Sequence, residues 1–338
     1  MAHSLIVLPE DSPRPILDAI NRSSKALRIK MFLLSDPTLL NALIGAHHRG
    51  VQVRVMLNPL RRNGEVENEE SRRLLSEAGV EVIDSNPAFD LTHEKSLIVD
   101  ETEAFVQSLN WQTKNLFRTR DFAVLTTHRD EVQEIIECFE ADWNRVDFTR
   151  RERSNVIWCT GTGRERLAEF IDCATRNLFV ENERYQDPVI IERLVRAKRR
   201  GVKVHILARP PHKLKKDKLA EAVVGLRIMH DVGIKIHKLK HLTLHAKMLF
   251  EDNGAAIIGS INLTPGSFDS RRELAIEVRD NHVLDRLHTL VHEDWANSEP
   301  LDLTDEGLRA DLEAHHKEGE EQLVLNPRHK GQDIKSSV

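Results

Sequence analysis

The chain has 338 residues, of which 40% are hydrophobic and 30% are charged, and its formal net charge is −5. A chain of this length and composition can form one large or two average domains, which excludes wholesale disorder, a collagen-like fibre and a disulfide-rich scaffold. No apolar run reaches the roughly 18 to 20 residues that span a bilayer, and the N-terminal segment lacks the basic start of a secretory signal. The three widely spaced cysteines fit a reducing compartment and have no metal-binding spacing, so we expect a cytoplasmic protein.

Helical and extended patterns alternate from the N-terminus onwards. The apolar periodicity predicts, in chain order, a helix around 16–20, a strand over 27–34, a helix over 37–48, a strand over 51–57, a helix over 69–78 and a strand over 80–83. Pro37 at an early helical position and Gly50 just beyond the last turn mark the two ends of the second helix. Alternation of this kind is typical of an α/β sheet with crossover helices.

The same pattern occurs twice in the chain. The segment Arg49–Val53 (Arg-Gly-Val-Gln-Val) corresponds to Arg200–Val204 (Arg-Gly-Val-Lys-Val), and later His-x-Lys, Ser-x-Asn and Asp-Trp segments recur at a constant offset of 152, since 245 − 93, 260 − 108 and 295 − 143 are equal. Each copy ends in an amphipathic helix. We therefore predict a first domain at residues 1–150, a second at 151–300, and a mobile C-terminal tail at 301–338.

Both copies contain a polar constellation that core packing does not explain. Its members are His93, Lys95, Asp100, Ser108 and Asn110 in the first copy and His245, Lys247, Asp252, Ser260 and Asn262 in the second. Histidine and lysine two positions apart in an extended segment point to one face. Alone, a His-x-Lys pair is typical of a surface strand, but its recurrence within a longer spaced pattern indicates a site.

The residue types in this constellation suit a phosphate group. A lysine ammonium and an asparagine amide can hold phosphate oxygens, while an imidazole can attack phosphorus or transfer a proton. Two acidic residues, Asp121 and Glu273, lie 13 positions after Ser108 and Ser260. A carboxylate on the second nitrogen of a catalytic imidazole fixes its tautomer and stabilises its charged form, although ordinary charge pairing explains the two acids equally well.

The doubled His-x-Lys-x4-Asp-x6-Gly-Ser-x-Asn pattern resembles the phospholipase D superfamily, over about residues 10–297. The resemblance implies two tandem α/β/α sandwich domains related by a pseudo-twofold axis, with both motifs in one cleft at their interface. It further implies phosphodiester cleavage or phosphatidyl transfer without a metal or other cofactor, through a covalent phosphohistidine. Because one chain contains both motifs, a monomer suffices for a complete site.

The same resemblance implies a role for each residue of the pattern. The two histidines, His93 and His245, act as nucleophile and general acid, and we favour His93 as the nucleophile. Phosphate oxygens are bound by Lys95, Lys247, Asn110 and Asn262, supported by Ser108 and Ser260. Asp121 and Glu273 orient the histidines. Asp100 and Asp252 complete the catalytic pattern and are expected to brace the site more than touch substrate.

The first copy departs from the family pattern at one position, where Gln107 replaces the glycine that the second copy has at Gly259. If a glycine is needed there for close approach to the phosphate, Gln107 narrows the cleft or alters the choice of substrate. No catalytic side chain is lost, so we expect an active enzyme.

Three interpretations of the substrate compete: a phospholipid, a nucleic acid, or none in a non-catalytic scaffold. The stretch 196–218 contains ten lysines and arginines and one aspartate, which suits anionic headgroups or a phosphate backbone if it faces the cleft. Aromatic residues, the usual platforms for stacked bases, make up only 5% of the chain. We therefore expect a phospholipid first and nucleic acid second. Peripheral contact with a membrane is left open.

Overall fold

The computed structural model describes residues 2–59, 68–213, 219–252 and 254–313. The first half contains β1 (His3–Leu8), α1 (Arg14–Arg22), β2 (Ala26–Met31), α2 (Pro37–His48), β3 (Gln52–Leu57), α3 (Glu69–Glu77), β4 (Glu81–Asp84), β5 (Leu91–Thr92), β6 (Ser96–Val99), β7 (Glu103–Gln107), α4 (Thr113–Phe117), β8 (Thr119–Thr126) and α5 (Arg129–Asn144). The predicted alternation of helices and strands is therefore confirmed in this half.

The second half repeats this order. It contains β9 (Val156–Cys159), α6 (Gly163–Cys173), β10 (Asn177–Asn182), α7 (Pro188–Arg199), β11 (Lys203–Leu207), a 3₁₀ turn (Pro211–Lys213), α8 (Leu219–Asp231), β12 (Lys235–Leu239), β13 (Thr243–Leu244), β14 (Lys247–Glu251), β15 (Ala255–Gly259), α9 (Pro265–Asp269), β16 (Arg271–Val278), α10 (Asn281–Ala296) and β17 (Ser298–Pro300).

Each half forms one mixed sheet. The order is β1-β8-β7-β6-β2-β3-β4 in the first sheet and β17-β12-β11-β10-β14-β15-β16 in the second, where β9 also pairs with β16. Strands β2, β3 and β4 pair in parallel, while β6, β7, β8 and β1 are antiparallel to their neighbours. Every residue of β2 is buried, as expected of a strand with helices on both faces of its sheet.

The crossover helices begin in the same way in both halves. The Asp36 carboxylate accepts hydrogen bonds from the backbone N–H groups of Thr38 and Leu39 at the start of α2. Asp187 does the same at the start of α7, and both helices have proline as their first residue. An aspartate cap followed by proline fixes the residue at which the helix begins, because the aspartate side chain binds the free N–H groups of the first turn and the proline ring favours the helical φ.

Apolar side chains form three layers of core. Helices α1, α2 and α3 pack on the outer face of the first sheet, and α6, α7 and α8 pack on the outer face of the second. The inner faces of both sheets share a central core with α5 and α10. This arrangement confirms the predicted pair of α/β/α sandwiches.

Buried ion pairs join the two halves beside the central core. Arg272 of β16 donates to both carboxylate oxygens of Asp142 in α5, at 2.8 and 3.0 Å. The equivalent Arg120 of β8 pairs with Asp294 of α10 at 2.6 and 2.7 Å. Each of these arginines directly precedes one of the two acids predicted to orient the histidines, so the ion pairs fix those strands relative to the other half.

Packed structure continues beyond residue 300, where a mobile tail was predicted to begin. Leu301 and Leu303 are buried in the outer core of the second half, and the Leu301 N–H donates to the Ile236 carbonyl. Residues 305–313 are helical. The prediction of a tail starting at 301 is therefore wrong, because two leucines there find an apolar surface; residues 314–338 lie outside the described residues. Among the helices of the described ranges, none has the length and apolarity to cross a membrane.

Candidate active site

Each motif histidine follows a two-residue strand that crosses to the other half of the molecule. Strand β5 pairs in parallel with Arg271 and Arg272 of β16, and the His93 N–H donates to the Arg272 carbonyl at 2.9 Å. Strand β13 pairs in the same way with β8, and the His245 N–H donates to the Arg120 carbonyl at 3.1 Å. The fold therefore brings the two motifs together by exchanging these segments.

The carboxylate beside each histidine comes from the opposite half. His93 Nδ1 lies 2.9 Å from Glu273 Oε2, and His245 Nδ1 lies 2.8 Å from Asp121 Oδ1. A carboxylate accepts a hydrogen bond from Nδ1–H, so Nε2 is the nitrogen of each ring that is left for chemistry. The sequence places both acids near histidines but does not reveal that they cross between the copies.

Burial and neighbouring charges shift the pKa values of the two histidines and the two carboxylates. Burial lowers the pKa of His93 to about 3, although Glu273 works in the opposite direction. The pKa of His245 is also lowered by burial and raised in part by Asp121. For Asp121 and Glu273, burial works to raise the pKa, but the histidines and lysines beside them outweigh it and keep both carboxylates below their usual range.

The two serines contact the carboxylates, which differs from the expected role in binding substrate. Ser108 Oγ donates to Asp121 Oδ1 and Ser260 Oγ donates to Glu273 Oε2, each at 2.6 Å. Both serines are fully buried. Thr119 Oγ1 adds a third contact, at 2.5 Å, to Asp121 Oδ2. The serine hydroxyls therefore position the two carboxylates, and each carboxylate in turn contacts a histidine. Thr119 supports Asp121 in the same way, and comparison of the two copies does not reveal it.

The two motif lysines are buried and lie in one electrostatic cluster. Lys95 Nζ donates to the His93 carbonyl and Lys247 Nζ to the His245 carbonyl. Burial lowers the pKa of Lys95 to about 7, Glu273 opposes that effect and Lys247 adds to it. An anionic phosphate between the two ammonium groups would relieve this unfavourable burial of like charges.

The two motif asparagines are also buried and have unused hydrogen-bonding capacity. Within the described ranges, the Oδ1 atoms of Asn110 and Asn262 have no hydrogen-bond partner. Asn262 Nδ2 donates to Glu183 Oε1 at 3.1 Å. Buried polar atoms without partners are rare in folded proteins and are typical of binding sites.

The residues around the two histidines differ, although the motifs are alike. Glu183 Oε1 lies 3.5 Å from Lys247 Nζ, and Glu183 Oε2 accepts from Arg209 Nη1 at 3.0 Å. The equivalent position in the first half, at the offset of 151, is Phe32, whose ring lies 5.0 Å from that of His93. Burial works to raise the pKa of Glu183, but Lys247 and His245 lower it well below its usual range. Sequence comparison of the copies missed Glu183 because the residue is not repeated.

Asp100 and Asp252 lie away from this cluster. The Asp100 carboxylate accepts from the backbone N–H groups of Ser24, Lys25 and Ala26, and Asp252 accepts from the Asn177 N–H. Strand β6 separates Lys95 from Asp100, and five residues of strand span about 17 Å. Their hydrogen bonds fit the expected bracing role, at the ends of strands β6 and β14 against β2 and β10, and this position does not support counting them among the catalytic residues.

Gln107 is directed into the core of the first half. Its Oε1 accepts a hydrogen bond from the indole Nε1 of Trp111 at 3.0 Å, and both residues are fully buried. At Gly259, by contrast, an added Cβ would lie 2.2 Å from the Leu274 carbonyl oxygen. The glycine is thus required in the second half by close packing of β15 on β16, whereas the first half accommodates a long side chain at this position.

The described residues contain one group of potential metal ligands, Glu94, Cys138 and Asp142. A lysine ammonium already lies among them, because Lys30 Nζ is 2.6 Å from Asp142 Oδ2 and 3.1 Å from Glu94 Oε2. The Lys30 charge balances these acids, so the group is a buried ion-pair network.

The described members of the basic stretch 196–218 have different partners and do not form one surface. Residues 214–218 lie outside the described residues. Arg200 donates to the Ile171 and Asp172 carbonyls at the end of α6, and Arg196 pairs with Glu192 on its own helix. Arg209, another described member, reaches the cluster through Glu183.

Comparisons with known proteins agree with this geometry. The family model described as "Cardiolipin synthase, PLD-like domain" matches residues 16–143 and again 167–295. A polyphosphate kinase of Vibrio parahaemolyticus is 25% identical over 287 residues, which cover 78% of this chain and 39% of that protein. The mitochondrial cardiolipin hydrolase of Homo sapiens is 30% identical over 138 residues, which cover 40% of this chain and 52% of that protein.

A solved structure extends the likeness to the whole fold. The phosphatidylserine synthase of Haemophilus influenzae Rd KW20 aligns over 96% of this chain and 94% of its own, with a TM-score of 0.68 and 11% identity. The chain spans no more than about half the length of the two curated relatives. The family model, in contrast, matches most of the chain in two repeats. The chain belongs to the phospholipase D-like family.

Proposed function

We propose that the chain cleaves or transfers phosphodiesters of phospholipids through a covalent phosphohistidine, without a metal. The observation that supports this most directly is the reciprocal pairing of His93 with Glu273 and of His245 with Asp121. Because each carboxylate contacts Nδ1, the Nε2 atom of each imidazole stays available for chemistry, in the same cluster as the buried lysines Lys95 and Lys247. A nucleophile, a proton carrier and cations for a phosphate are thus all supplied by side chains.

The chemistry proceeds in two displacements. In the first, His93 Nε2 attacks phosphorus, the bond from phosphorus to the leaving oxygen breaks, and His245 donates a proton to that oxygen. In the second, water or an alcohol attacks the phosphohistidine, His245 takes its proton, and the bond between phosphorus and His93 breaks. Lys95, Lys247, Asn110 and Asn262 bind the non-bridging oxygens in both steps.

The different neighbours of the two histidines support His93 as the nucleophile. His93 lies against the Phe32 ring and has a pKa near 3, so its imidazole is neutral at physiological pH. His245 has the Glu183 charge nearby in addition to Asp121, and both raise its pKa against the effect of burial. A neutral imidazole is the better nucleophile, whereas an imidazole beside two carboxylates holds a proton more readily.

A lipid substrate is supported by the family and by the human relative, whose name is that of a cardiolipin hydrolase. Two other substrates follow from different observations. The same phosphohistidine chemistry cleaves nucleic acid phosphodiesters, and the polyphosphate kinase match over 78% of the chain favours transfer between phosphoanhydrides. We rank the lipid first because the family model that matches most of the chain is described as cardiolipin synthase, and because aromatic residues, the usual platforms for stacked bases, make up only 5% of the sequence.

The test offers all three substrates to the full chain in the presence of a chelator. Mixed phospholipid vesicles with ethanol, single-stranded DNA, and polyphosphate with ADP are incubated separately, and products are identified by mass spectrometry. We expect phosphatidic acid and phosphatidylethanol from wild type and from the surface control His230→Asn, and neither from His93→Ala or His245→Ala. Shortened DNA or ATP with intact lipid would reject the lipid assignment, and full activity in both histidine variants would reject the mechanism.

A further inference from the structure

A cavity of about 440 Å³ lies beside the His245 half of the cluster. It opens between the end of α4 in the first half and the segment that leads from β12 to β13 in the second. Its walls include Phe117 and Arg118 from the first half and Lys238, Leu239, Lys240 and Leu242 from the second. A volume of this size accommodates a small-molecule headgroup together with the start of an attached chain.

Some residues that line the cavity are next in sequence to residues of the histidine and lysine cluster. Leu244 directly precedes His245, and the Thr243 N–H donates to the Arg118 carbonyl at 3.2 Å. Ala208 and Pro210 line the cavity, while Arg209 between them donates to Glu183, the carboxylate next to Lys247. A ligand in the cavity would therefore lie next to a phosphate held by Lys247 and His245.

The charge of the walls favours an anion. Lys238 forms an ion pair with Glu299 at 3.4 Å, which leaves the cations of Arg118 and Lys240 on the same walls. Both of these side chains are exposed, and neither forms an ion pair within the described part of the chain. His212 lies on the wall as well, held by Asp311 at 2.8 Å.

The apolar residues of the walls favour a lipid over a phosphate chain or a nucleic acid. Leu239 and Leu242 line the cavity together with the cations, and Phe117, which also lines it, is 51% exposed. A glycerophospholipid has an anionic phosphate within a few bonds of its acyl chains, which matches cations adjoining leucines. Polyphosphate has no apolar part to cover these side chains.

We propose that this cavity binds a phosphate of an anionic glycerophospholipid, distinct from the phosphate that is being cleaved. The proposal rests on the lipid function above and names a second, non-reacting site for it. The second phosphate comes from a neighbouring lipid in the membrane or from the other end of a substrate with two phosphates. The chemistry that recognises it is the same in both cases.

Binding of short-chain phosphatidic acid to the full chain tests the site apart from the proposed reaction, because phosphatidic acid is the product of that reaction and has no second phosphoester bond for it to cleave. Calorimetry compares wild type with Arg118→Ala/Lys240→Ala and with Lys203→Ala/Lys235→Ala, a control that removes two exposed lysines of neighbouring strands. We expect two bound lipids in wild type and control, one in the cleft and one in the cavity. The cavity variant loses two cations and should bind its second lipid about 30-fold more weakly.

Unchanged stoichiometry and affinity in the cavity variant would overturn the proposal, even if the enzyme cleaves lipids. Tripolyphosphate that binds wild type as tightly as phosphatidic acid, with loss in the cavity variant, would overturn the lipid assignment of the site. A reaction on DNA or polyphosphate alone would reject the proposed function but leave a positive binding result standing.

Activity on vesicles then identifies the source of the phosphate. If phosphatidic acid accelerates cleavage of phosphatidylcholine by wild type and not by the cavity variant, the cavity binds a neighbouring lipid. If the cavity variant loses only its preference for cardiolipin over phosphatidylcholine, the cavity binds the second phosphate of the substrate itself.

Discussion

His93 Nδ1 lies 2.9 Å from a carboxylate oxygen of Glu273, which belongs to the other half of the chain. The equivalent pair of His245 and Asp121 repeats this relationship in the opposite direction. Each half therefore supplies the imidazole for one pair and the acid for the other. Neither half alone contains a motif histidine together with the carboxylate that pairs with it, so the proposed chemistry depends on the interface between them.

Replacing Glu273 by glutamine should lower kcat by about 10² to 10⁴, because the amide no longer fixes the tautomer and charge of His93. The double variant Glu273→Gln/His93→Ala should be no slower than His93→Ala alone, since Glu273 acts through the histidine. Steady-state kinetics on folded protein, with thermal unfolding as a check, provide the measurement. Glu277→Gln on the same strand is the matched control. Fully additive losses in the double variant would show that Glu273 acts elsewhere.

The pH dependence follows from which groups must hold a proton. His93 must be neutral, and with its pKa near 3 it is neutral across the accessible range. His245 must be protonated and Lys95 charged, but burial lowers the pKa of His245 and brings that of Lys95 to about 7. As pH rises, His245 loses the proton that it donates, at a pH below its ordinary range, and Lys95 loses its charge near pH 7, so kcat/KM should fall.

The profile of kcat should fall at higher pH than that of kcat/KM, because a bound phosphate anion raises the pKa values of both groups. In Asp121→Asn, loss of the carboxylate beside His245 should move the fall in kcat/KM to lower pH. A wild-type kcat/KM that rises steadily from pH 6 to pH 8 would contradict the assigned protonation states.

Gly259→Ala and Gln107→Ala should have different effects although they occupy equivalent positions. A Cβ at Gly259 would lie 2.2 Å from the Leu274 carbonyl, which shifts β15 on β16 and displaces Ser260 and Glu273. Overpacking of this kind costs about 1 to 3 kcal/mol, and we expect most activity to be lost.

Gln107→Ala removes the acceptor for the Trp111 indole, which lies in the core. It should lower the free energy of unfolding by about 1 to 3 kcal/mol and leave kcat nearly unchanged. Urea unfolding and kcat measured on the same preparations compare the two variants. Equal losses of kcat would show that Gln107 contributes to the cleft.

Much of the fold was predictable because local signals agree with it. Helix α2 begins and ends where the sequence predicts, since Asp36 and Pro37 define its start and Gly50, with a φ of 89°, follows its end. The strand predicted over 27–34 ends earlier, at Met31, because the apolar run continues beyond the last paired residue. Periodicity reports burial, and burial does not distinguish a strand from the buried turn after it.

The site was predictable only as far as it is repeated. The repeat identifies the histidines, lysines and asparagines, but the exchange of β5 and β13 between the halves is a long-range pairing with no local signal. Glu183 has no counterpart in the first copy, where Phe32 occupies its position. Asp100 and Asp252 are repeated for a structural reason, because each half uses the same carboxylate to connect two strand ends. Repetition therefore marks structural and chemical residues alike.

Trapping the covalent intermediate tests the central claim most directly. Bis(p-nitrophenyl) phosphate has a leaving group that departs without a proton, so His245→Asn should still permit attack by His93 while slowing the attack of water. Peptide mapping by mass spectrometry at neutral or higher pH should then find a p-nitrophenyl phosphoryl group on His93, and none in His93→Asn. No adduct on His93 in His245→Asn together with an adduct on His245 in His93→Asn, or turnover by His93→Asn at the wild-type rate, would contradict the account.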